Sequence, residues 1–348
     1  DLDLLLQDEG IGPRVQRIVT KEQRQPNGGL FELLVAAFYR RAGADVAFID
    51  EKPGEGRTHD MDVTLRGQTW AVECKRMEVG EYGEGERLQV GRLWGASAEH
   101  LAQLERSTLC RVSFHVELSG IPPAYLAEKV HRWLASGRKG LAWNDAIATG
   151  SIEMLDLKPL QRVLATDMVL SSSHRILELL TGRYVRNAQY QTLLKIRPSD
   201  NPRYVKSCEH AVVLHWESLS DSALNAKARD IRKKLSEATA QLPEGRQSVI
   251  HIGFEAVEGD RVERLRYEKI LTTARQFDPG EKELEYVYCH YLVPESPPDQ
   301  CWAFDETMQW CAIRARPAKP LEDGFLVLPA AGNRTGPHCP LRQNSCRL

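Results

Sequence analysis

The stretch Trp70-Ala71-Val72-Glu73-Cys74-Lys75-Arg76 decides the fold expected for this chain. It follows the turn-like Arg66-Gly67-Gln68 and contains a bulky aromatic and a β-branched residue, which predicts a short strand. Side chains alternate between the two faces of a strand, so Trp70, Val72 and Cys74 are expected to pack on one side. The other side then carries Ala71, Glu73 and Lys75, which brings a carboxylate and an ammonium group next to each other.

The preceding stretch predicts a partner strand with two more carboxylates. Residues 60–65 alternate as well, and the short connection to the next strand predicts an antiparallel hairpin. Its apolar face holds Met61, Val63 and Leu65, and its polar face holds Asp60, Asp62 and Thr64. At least one aspartate should therefore begin its strand close to the end of the strand that carries Glu73. Neighbouring carboxylates repel each other unless a positive group lies between them, and a hard divalent cation is the natural candidate.

A helix upstream supplies a further carboxylate. Residues 29–43 carry leucines, alanines and aromatic residues around nearly the whole circumference, which predicts a buried helix that stops at Gly43. Glu32 is the exception within this apolar helix. A buried carboxylate must be paired or hydrogen-bonded. Glu32 is therefore expected to reach the same metal cluster.

These residues resemble the motif of the PD-(D/E)XK nuclease superfamily, whose restriction-endonuclease-like fold is shared by type II restriction enzymes and Holliday-junction resolvases. The resemblance spans roughly residues 28–135 and consists of the helix with Glu32, a strand over residues 44–50, the strand with Asp62 and the strand that ends in Glu73-Cys74-Lys75. It implies that Asp62, Glu73 and the backbone carbonyl of Cys74 hold Mg²⁺, or Mn²⁺ in its place. Lys75 would orient the attacking water, and Glu32 would position a second metal ion or Lys75.

One departure from the motif leaves the identity of the aspartate open. The proline that often precedes it is absent, and His59-Asp60-Met61-Asp62 offers two aspartates on the same face. Asp62 is preferred because the hydrophobic alternation runs on directly from it. Asp60 stays the alternative acidic ligand.

A second interpretation of the same residues needs no metal. Glu73 and Lys75 would form a surface ion pair, Asp62 would cap the hairpin, and Glu32 would lie at a helix start where the dipole favours it. On this interpretation the chain is a catalytically inactive nucleic-acid-binding or assembly protein on the same fold. The two interpretations differ in whether the acidic residues bind a divalent cation.

The expected function is metal-dependent hydrolysis of phosphodiester bonds in nucleic acid, with DNA as the expected substrate. A formal net charge of -2 argues against a tight nonspecific binder, so a local basic groove is expected instead. The loop over residues 51–59 leads directly to the aspartates and is glycine- and proline-containing. Candidate contacts to the nucleic acid are Arg57 and His59 in this loop, and Arg76 beside the Glu-x-Lys motif.

The 348 residues predict an α/β chain with a restriction-endonuclease-like mixed sheet flanked by helices, followed by a second α/β unit. The expected segments are a helical extension over residues 1–27, a nuclease-like domain over 28–165, a second domain over 166–328 and a flexible tail over 329–348. The second domain is a candidate recognition module or degenerate repeat. It is also a candidate surface for a second copy of the chain or for a protein partner.

Cysteine usage and hydropathy indicate the compartment. The eight cysteines form no C-x-x-C pair, which suits reduced thiols and predicts a cytoplasmic protein. No apolar run approaches membrane-spanning length, and the acidic opening Asp1-Leu2-Asp3 differs from a secretory signal. No membrane contact is expected.

Overall fold

The computed structural model describes residues 2–6, 10–24, 26–50, 58–137, 140–171, 173–183, 185, 189–295, 303–314, 320–321 and 326–328. These residues form an α/β structure with two mixed sheets flanked by helices. The helices are α1 (Ile11–Thr20), α2 (Asn27–Arg41), α3 (Glu81–Gln103), α4 (Tyr125–Ala135), α5 (Lys158–Leu164), α6 (His174–Thr181), α7 (Asp221–Lys227), α8 (Arg232–Thr239) and α9 (Asp260–Gln276). The strands are β1 (Asp45–Phe48), β2 (Met61–Leu65), β3 (Gln68–Met77), β4 (Thr108–Phe114), β5 (Leu141–Asn144), β6 (Ala148–Met154), β7 (Val169–Leu170), β8 (Gln189–Pro198), β9 (Tyr204–Ser218), β10 (Ser248–Glu255), β11 (Leu284–Glu295) and β12 (Ala303–Ala312).

The first sheet has the order β1-β2-β3-β10-β11-β12. Strand β2 is antiparallel to both β1 and β3, β10 runs parallel to both β3 and β11, and β12 is antiparallel to β11. Arg66 and Gly67 connect β2 to β3 with positive φ angles of 54° and 78°, which suits a two-residue hairpin turn. The predicted hairpin is therefore confirmed.

Helices cover both faces of this sheet. Helix α2 packs on the face that carries Trp70, Val72 and Cys74, as the alternation predicted, and α8 and α9 pack on the opposite face of β10 and β11. The approach of α2 is close at Gly253 in β10, where an added Cβ would lie 2.5 Å from the ring of Phe31. A side chain at this position would have to displace the buried ring.

Gly253→Ala is expected to destabilise the chain by about 1 to 3 kcal/mol, because the methyl group overpacks the contact with Phe31. Gly95→Ala is the matched control, since Gly95 lies inside α3 and an added Cβ there meets nothing within 4 Å. That change should be neutral or stabilise by roughly 0.5 to 1 kcal/mol. Urea unfolding of both variants measures the difference, and equal stabilities would contradict the close packing of α2 on β10.

The second sheet is built from a segment inserted between β3 and β10. It has the order β5-β6-β4-β9-β7, with β8 also paired to β9, and α3 to α6 cover its two faces. The chain leaves the first sheet after Met77 and returns after α7. These two crossing points are adjacent, because Arg229 Nη2 donates a hydrogen bond to the carbonyl of Glu78 at 2.9 Å. The second α/β unit is therefore an insertion into the first.

The expected boundary between residues 165 and 166 does not separate the two sheets. The alternating residues 109–118 predict a strand, which is present as β4, but it belongs to the second sheet, while β10 and β11 complete the first. The alternation of apolar and polar residues predicts that a strand exists, but it does not show which strand pairs with it when a long insertion separates the two in the chain. Residues 1–27 are no separate extension either, since α1 packs onto the first core through Ile18. The tail expected over 329–348 lies outside the described residues.

Two helix predictions differ from the structure. The glycine-rich, acidic composition of residues 78–85 predicts a loop, but α3 begins at Glu81, and its Gly83 allows Glu258 to approach closely. The amphipathic pattern of residues 220–241 predicts one long helix, which the structure divides into α7 and α8. The division occurs at Asp230, whose carboxylate accepts the N–H of Ile231 at 2.6 Å and the hydroxyl of Thr273 at 2.7 Å.

In the described part of the chain, no helix has the length and apolar character needed to cross a membrane.

Candidate functional site

The site forms where β2 stops pairing with β3. Strand β2 begins at Met61 opposite Val72, while β3 continues to Met77. Asp60 precedes β2 and donates its N–H to the carbonyl of Val72 at 3.1 Å, and its Oδ2 accepts the N–H of Cys74 at 2.7 Å. The Asp60 carboxylate therefore accepts a backbone hydrogen bond from β3 at the point where the pairing with β2 has ended. Because the N–H and C=O of a strand residue point to the same edge, the Cys74 carbonyl also faces Asp60.

Glu73 is the most buried member of the site. Its side chain has no exposed surface, its Oε1 accepts a hydrogen bond from the Lys75 ammonium, and its Oε2 has no hydrogen-bond donor among the described residues. Burial and then the charge of Asp60 raise the pKa of Glu73 to about 9, and Lys75 offsets only part of this effect. The two carboxyl groups lie close enough to affect each other's pKa. Without a cation, they are expected to share a proton.

The pKa of Asp60 is subject to opposing effects. Burial raises the pKa of Asp60, and the Cys74 N–H, Arg14 and Lys75 partly offset the effect by stabilising the charged form. The aspartate side chain is 16% exposed and that of Lys75 is 19% exposed. Both groups therefore reach the surface of the site, and Glu73 lies beneath them.

Glu32 is the third carboxylate of the cluster. Helix α2 carries it, and two guanidinium groups from α1 hold it: Arg14 Nη1, and Arg17 Nη2 at 2.9 Å. Burial and then the charge of Asp60 raise the pKa of Glu32 to about 7 despite both arginines. Glu32 also contributes to the raised pKa of Glu73, so the three carboxyl groups act on one another.

Arg14 is a site residue that the sequence did not identify. It is buried, and its Nη2 donates to the carbonyl of Asp60 at 2.7 Å and to that of Ile49 at 2.9 Å, while its Nη1 binds Glu32. One side chain thus connects α2 to the backbone on either side of the 51–57 segment. The four cations along residues 14–24 have a spacing that is typical of a solvated helix, and nothing in that spacing distinguishes a buried arginine from an exposed one.

Asp62 lies beside this cluster in an ion pair of its own. Its Oδ1 accepts hydrogen bonds from His59 Nε2 and Arg246 Nη2, both at 2.7 Å. Burial alone would raise the pKa of Asp62, but these two partners outweigh it and hold the pKa below its ordinary value. The register pairs Asp62 with Ala71.

The aspartate that meets Glu73 is therefore Asp60, where the sequence favoured Asp62. Both aspartates lie on the expected face, and the register of the hairpin decides between them. Pairing stops at Met61 and Val72, so the residue before Met61 reaches the edge of β3 beside Glu73.

Comparisons of the chain with protein-family models, with curated proteins and with solved structures found no match. The chemistry of the site therefore rests on its own residues. Within the described part of the chain, no group of three His, Cys, Asp or Glu side chains is arranged to hold a metal ion as it stands. The donor set available is two carboxylates and one backbone carbonyl.

This donor set fits a hard cation. Asp60, Glu73 and the Cys74 carbonyl offer only oxygen atoms, and the buried Glu73 Oε2 lacks a donor. Mg²⁺ is commonly held by one or two carboxylates and keeps several of its waters. The arrangement therefore suits Mg²⁺ or Mn²⁺ with water completing the coordination, and Asp62 is not needed for it.

The residues predicted to contact nucleic acid are placed differently. Arg57 lies outside the described residues. His59 is buried against Asp62. The Arg76 side chain is 8% exposed and pairs with Glu255 at 2.8 Å. Burial lowers the pKa of Arg76 and Glu255 opposes that shift. His59 and Arg76 therefore face carboxylates and not solvent.

Proposed function

We propose that this chain is a metal-dependent nuclease that hydrolyses phosphodiester bonds in DNA. The observation that supports the proposal most is the meeting of Asp60 and Glu73 around a buried oxygen that lacks a donor, next to the ammonium of Lys75. Two carboxyl groups in contact in a buried position are costly unless a proton or a cation lies between them. A divalent cation held by Asp60 and Glu73 would relieve this cost and would supply the chemistry for hydrolysis of a phosphodiester.

Each residue of the site would have a separate role in the hydrolysis. Asp60, Glu73 and the Cys74 carbonyl would hold Mg²⁺ or Mn²⁺. A bound ion of this kind lowers the pKa of its water and neutralises charge that builds on the phosphate oxygens. Lys75 is partly exposed and already donates to Glu73, so it can also donate to the attacking water and to the phosphate.

Glu32 and Arg14 position these groups. Arg14 holds the backbone of Asp60 and the carboxylate of Glu32 at the same time. This bridge keeps the Asp60 carboxylate on the edge of β3, where it meets Glu73. Replacing either member of the bridge should displace Asp60 and leave Glu73 in place.

The topology supports a restriction-endonuclease-like fold for the first sheet. Its antiparallel β1-β2-β3 meander is followed by the parallel strand β10, and helices cover both faces. The Glu-x-Lys residues lie on the central β3, and the charge of Glu32 on α2 contributes to the raised pKa of Glu73. On this proposal the second α/β unit is an insertion after the strand that carries Glu73 and Lys75.

Asp60→Asn is expected to abolish Mg²⁺-dependent cleavage, while Asp62→Asn should keep most of the wild-type kcat. The two aspartates are a matched pair, two residues apart on one face; the charge of Asp60 raises the pKa of Glu73, whereas Asp62 pairs with His59 and Arg246. Cleavage of duplex DNA with Mg²⁺ and with Mn²⁺ measures the difference. If Asp62→Asn were inactive and Asp60→Asn active, Asp62 would be the ligand.

A catalytically inactive nucleic-acid-binding or assembly protein is the second candidate, and one observation favours it. Arg14 and Arg17 pair with Glu32, and Lys75 pairs with Glu73, so the cluster can exist without a metal ion if Asp60 and Glu73 share a proton. A wild-type chain that neither cleaves DNA nor gains thermal stability from Mg²⁺ or Mn²⁺ would support this candidate.

A further inference from the structure

We propose that Arg246, held by Asp62, contacts a phosphate of the nucleic acid next to the one that is cleaved. The inference rests on the proposed nuclease function and adds a positioning residue to it. It also gives Asp62 a role, namely to hold a cation at the margin of the carboxylate cluster.

Arg246 reaches this place from the strand on the other side of β3. It lies just before β10, where the carbonyl of Gln247 accepts the N–H of Ala71 at 2.9 Å and Ser248 pairs with Ala71. Asp62 pairs with the same Ala71 from β2. The two side chains therefore meet above Ala71, and the small methyl group leaves room for the guanidinium to cross.

The guanidinium keeps hydrogen-bond donors for a ligand. A guanidinium carries five N–H groups, and Nη2 of Arg246 gives one to Asp62. The Arg246 side chain is 39% exposed, whereas those of Arg14 and Arg76 are 8% exposed and directed at internal acceptors. Guanidinium groups bind phosphate oxygens through paired N–H groups, which fits the remaining donors.

The spacing of residues along an extended chain places Asp62, and with it Arg246, next to the carboxylate cluster. Asp62 comes two residues after Asp60 on the same face, so their side chains are about 6 to 7 Å apart along the chain direction. This is close to the step between neighbouring phosphates of a nucleic-acid strand. His59 binds Asp62 as well, so the carboxylate that orients Arg246 is itself held in place.

The experiment is equilibrium binding of a short fluorescent DNA duplex at several salt concentrations, with Ca²⁺ in place of Mg²⁺ to limit cleavage. Arg246→Ala is expected to weaken binding about 3- to 10-fold and to reduce the slope of log K against log salt by about 0.9. Arg246→Lys should restore the slope because it keeps the charge. Arg197→Ala is the control, since Arg197 is also exposed and paired with a carboxylate but lies in β8 of the second sheet.

The outcomes separate this inference from the proposed function. An unchanged slope in Arg246→Ala overturns the inference even if the wild type cleaves DNA, and so does a lower melting temperature with unchanged binding. A reduced slope together with a wild type that never cleaves would support the phosphate contact and overturn the nuclease. A wild type that does not bind the duplex overturns the inference directly.

Discussion

Replacing Glu73 with glutamine is expected to abolish Mg²⁺-dependent cleavage of DNA, with a fall in kcat of more than roughly 10²-fold. The amide has the shape of the carboxyl group but removes the charge and one metal-binding oxygen. The fold should tolerate the change, because a pKa of about 9 means that Glu73 is already neutral at pH 7 in the metal-free chain. Single-turnover cleavage measures the loss, and circular dichroism checks the fold.

Lys75→Ala should reduce kcat in the same way, because it removes the partly exposed ammonium that we propose donates to the attacking water and to the phosphate. Lys282→Ala is the matched control, since Lys282 also pairs with a glutamate, Glu244, at 3.3 Å but lies before β11 away from the carboxylates. Cleavage that survives in both Glu73→Gln and Lys75→Ala would rule the assignment of the active site out.

The free energy of unfolding of the metal-free chain is expected to fall as the pH rises from about 4.5 to about 9. Glu73 has a pKa of about 9 in the folded chain and an ordinary value of 4.5, so the folded state binds the extra proton across this window. The stabilisation is complete below the lower value and is lost as the pH passes the upper one. Glu32 acts in the same direction up to about pH 7.

Mg²⁺ should reverse this trend, because it binds the ionised carboxylates and must displace the shared proton. Its stabilising effect should therefore increase with pH and reach about 2.7 kcal/mol at 100 times the Kd. Urea unfolding at about pH 6 and about pH 9, with and without Mg²⁺, measures both effects.

Two variants control the pH experiment. Glu73→Gln should lose most of the alkaline decline and the gain from Mg²⁺. Asp62→Asn should keep both, because the lowered pKa of Asp62 contributes stability that is lost only as the pH falls through that value in acid. If Glu73→Gln declines with pH as the wild type does, another group causes the decline.

The local elements of the site could be predicted from the sequence. The alternation of apolar and polar residues predicted the β2-β3 hairpin and the face on which Trp70 and Val72 pack. The apolar residues around the whole circumference of residues 29–43 predicted the buried helix α2. The turn at Arg66-Gly67 fixed the hairpin. These features depend on residues close together in the chain, so short-range patterns contain them.

The features of the site that the sequence did not predict depend on contacts between residues that are far apart in the chain. The choice between Asp60 and Asp62 depends on where β2 stops pairing, and both aspartates satisfy the alternation. Arg14 enters the site because α1 packs beside α2, and Arg246 enters it because β10 returns next to β3 after the insertion. No local sequence pattern indicates these contacts, so neither Arg14 nor Arg246 could be assigned to the site from the sequence.

The most direct test of the metal site is a crystal structure of the chain soaked in Mn²⁺, with anomalous diffraction to locate the ion. The account predicts one Mn²⁺ bound by the carboxylates of Asp60 and Glu73 and by the carbonyl of Cys74, at about 2.0 to 2.2 Å from each oxygen. Asp62 should still bind His59 and Arg246. Mn²⁺ bound to Asp62, or no Mn²⁺ near Glu73 while Lys75 alone pairs with it, would contradict the account.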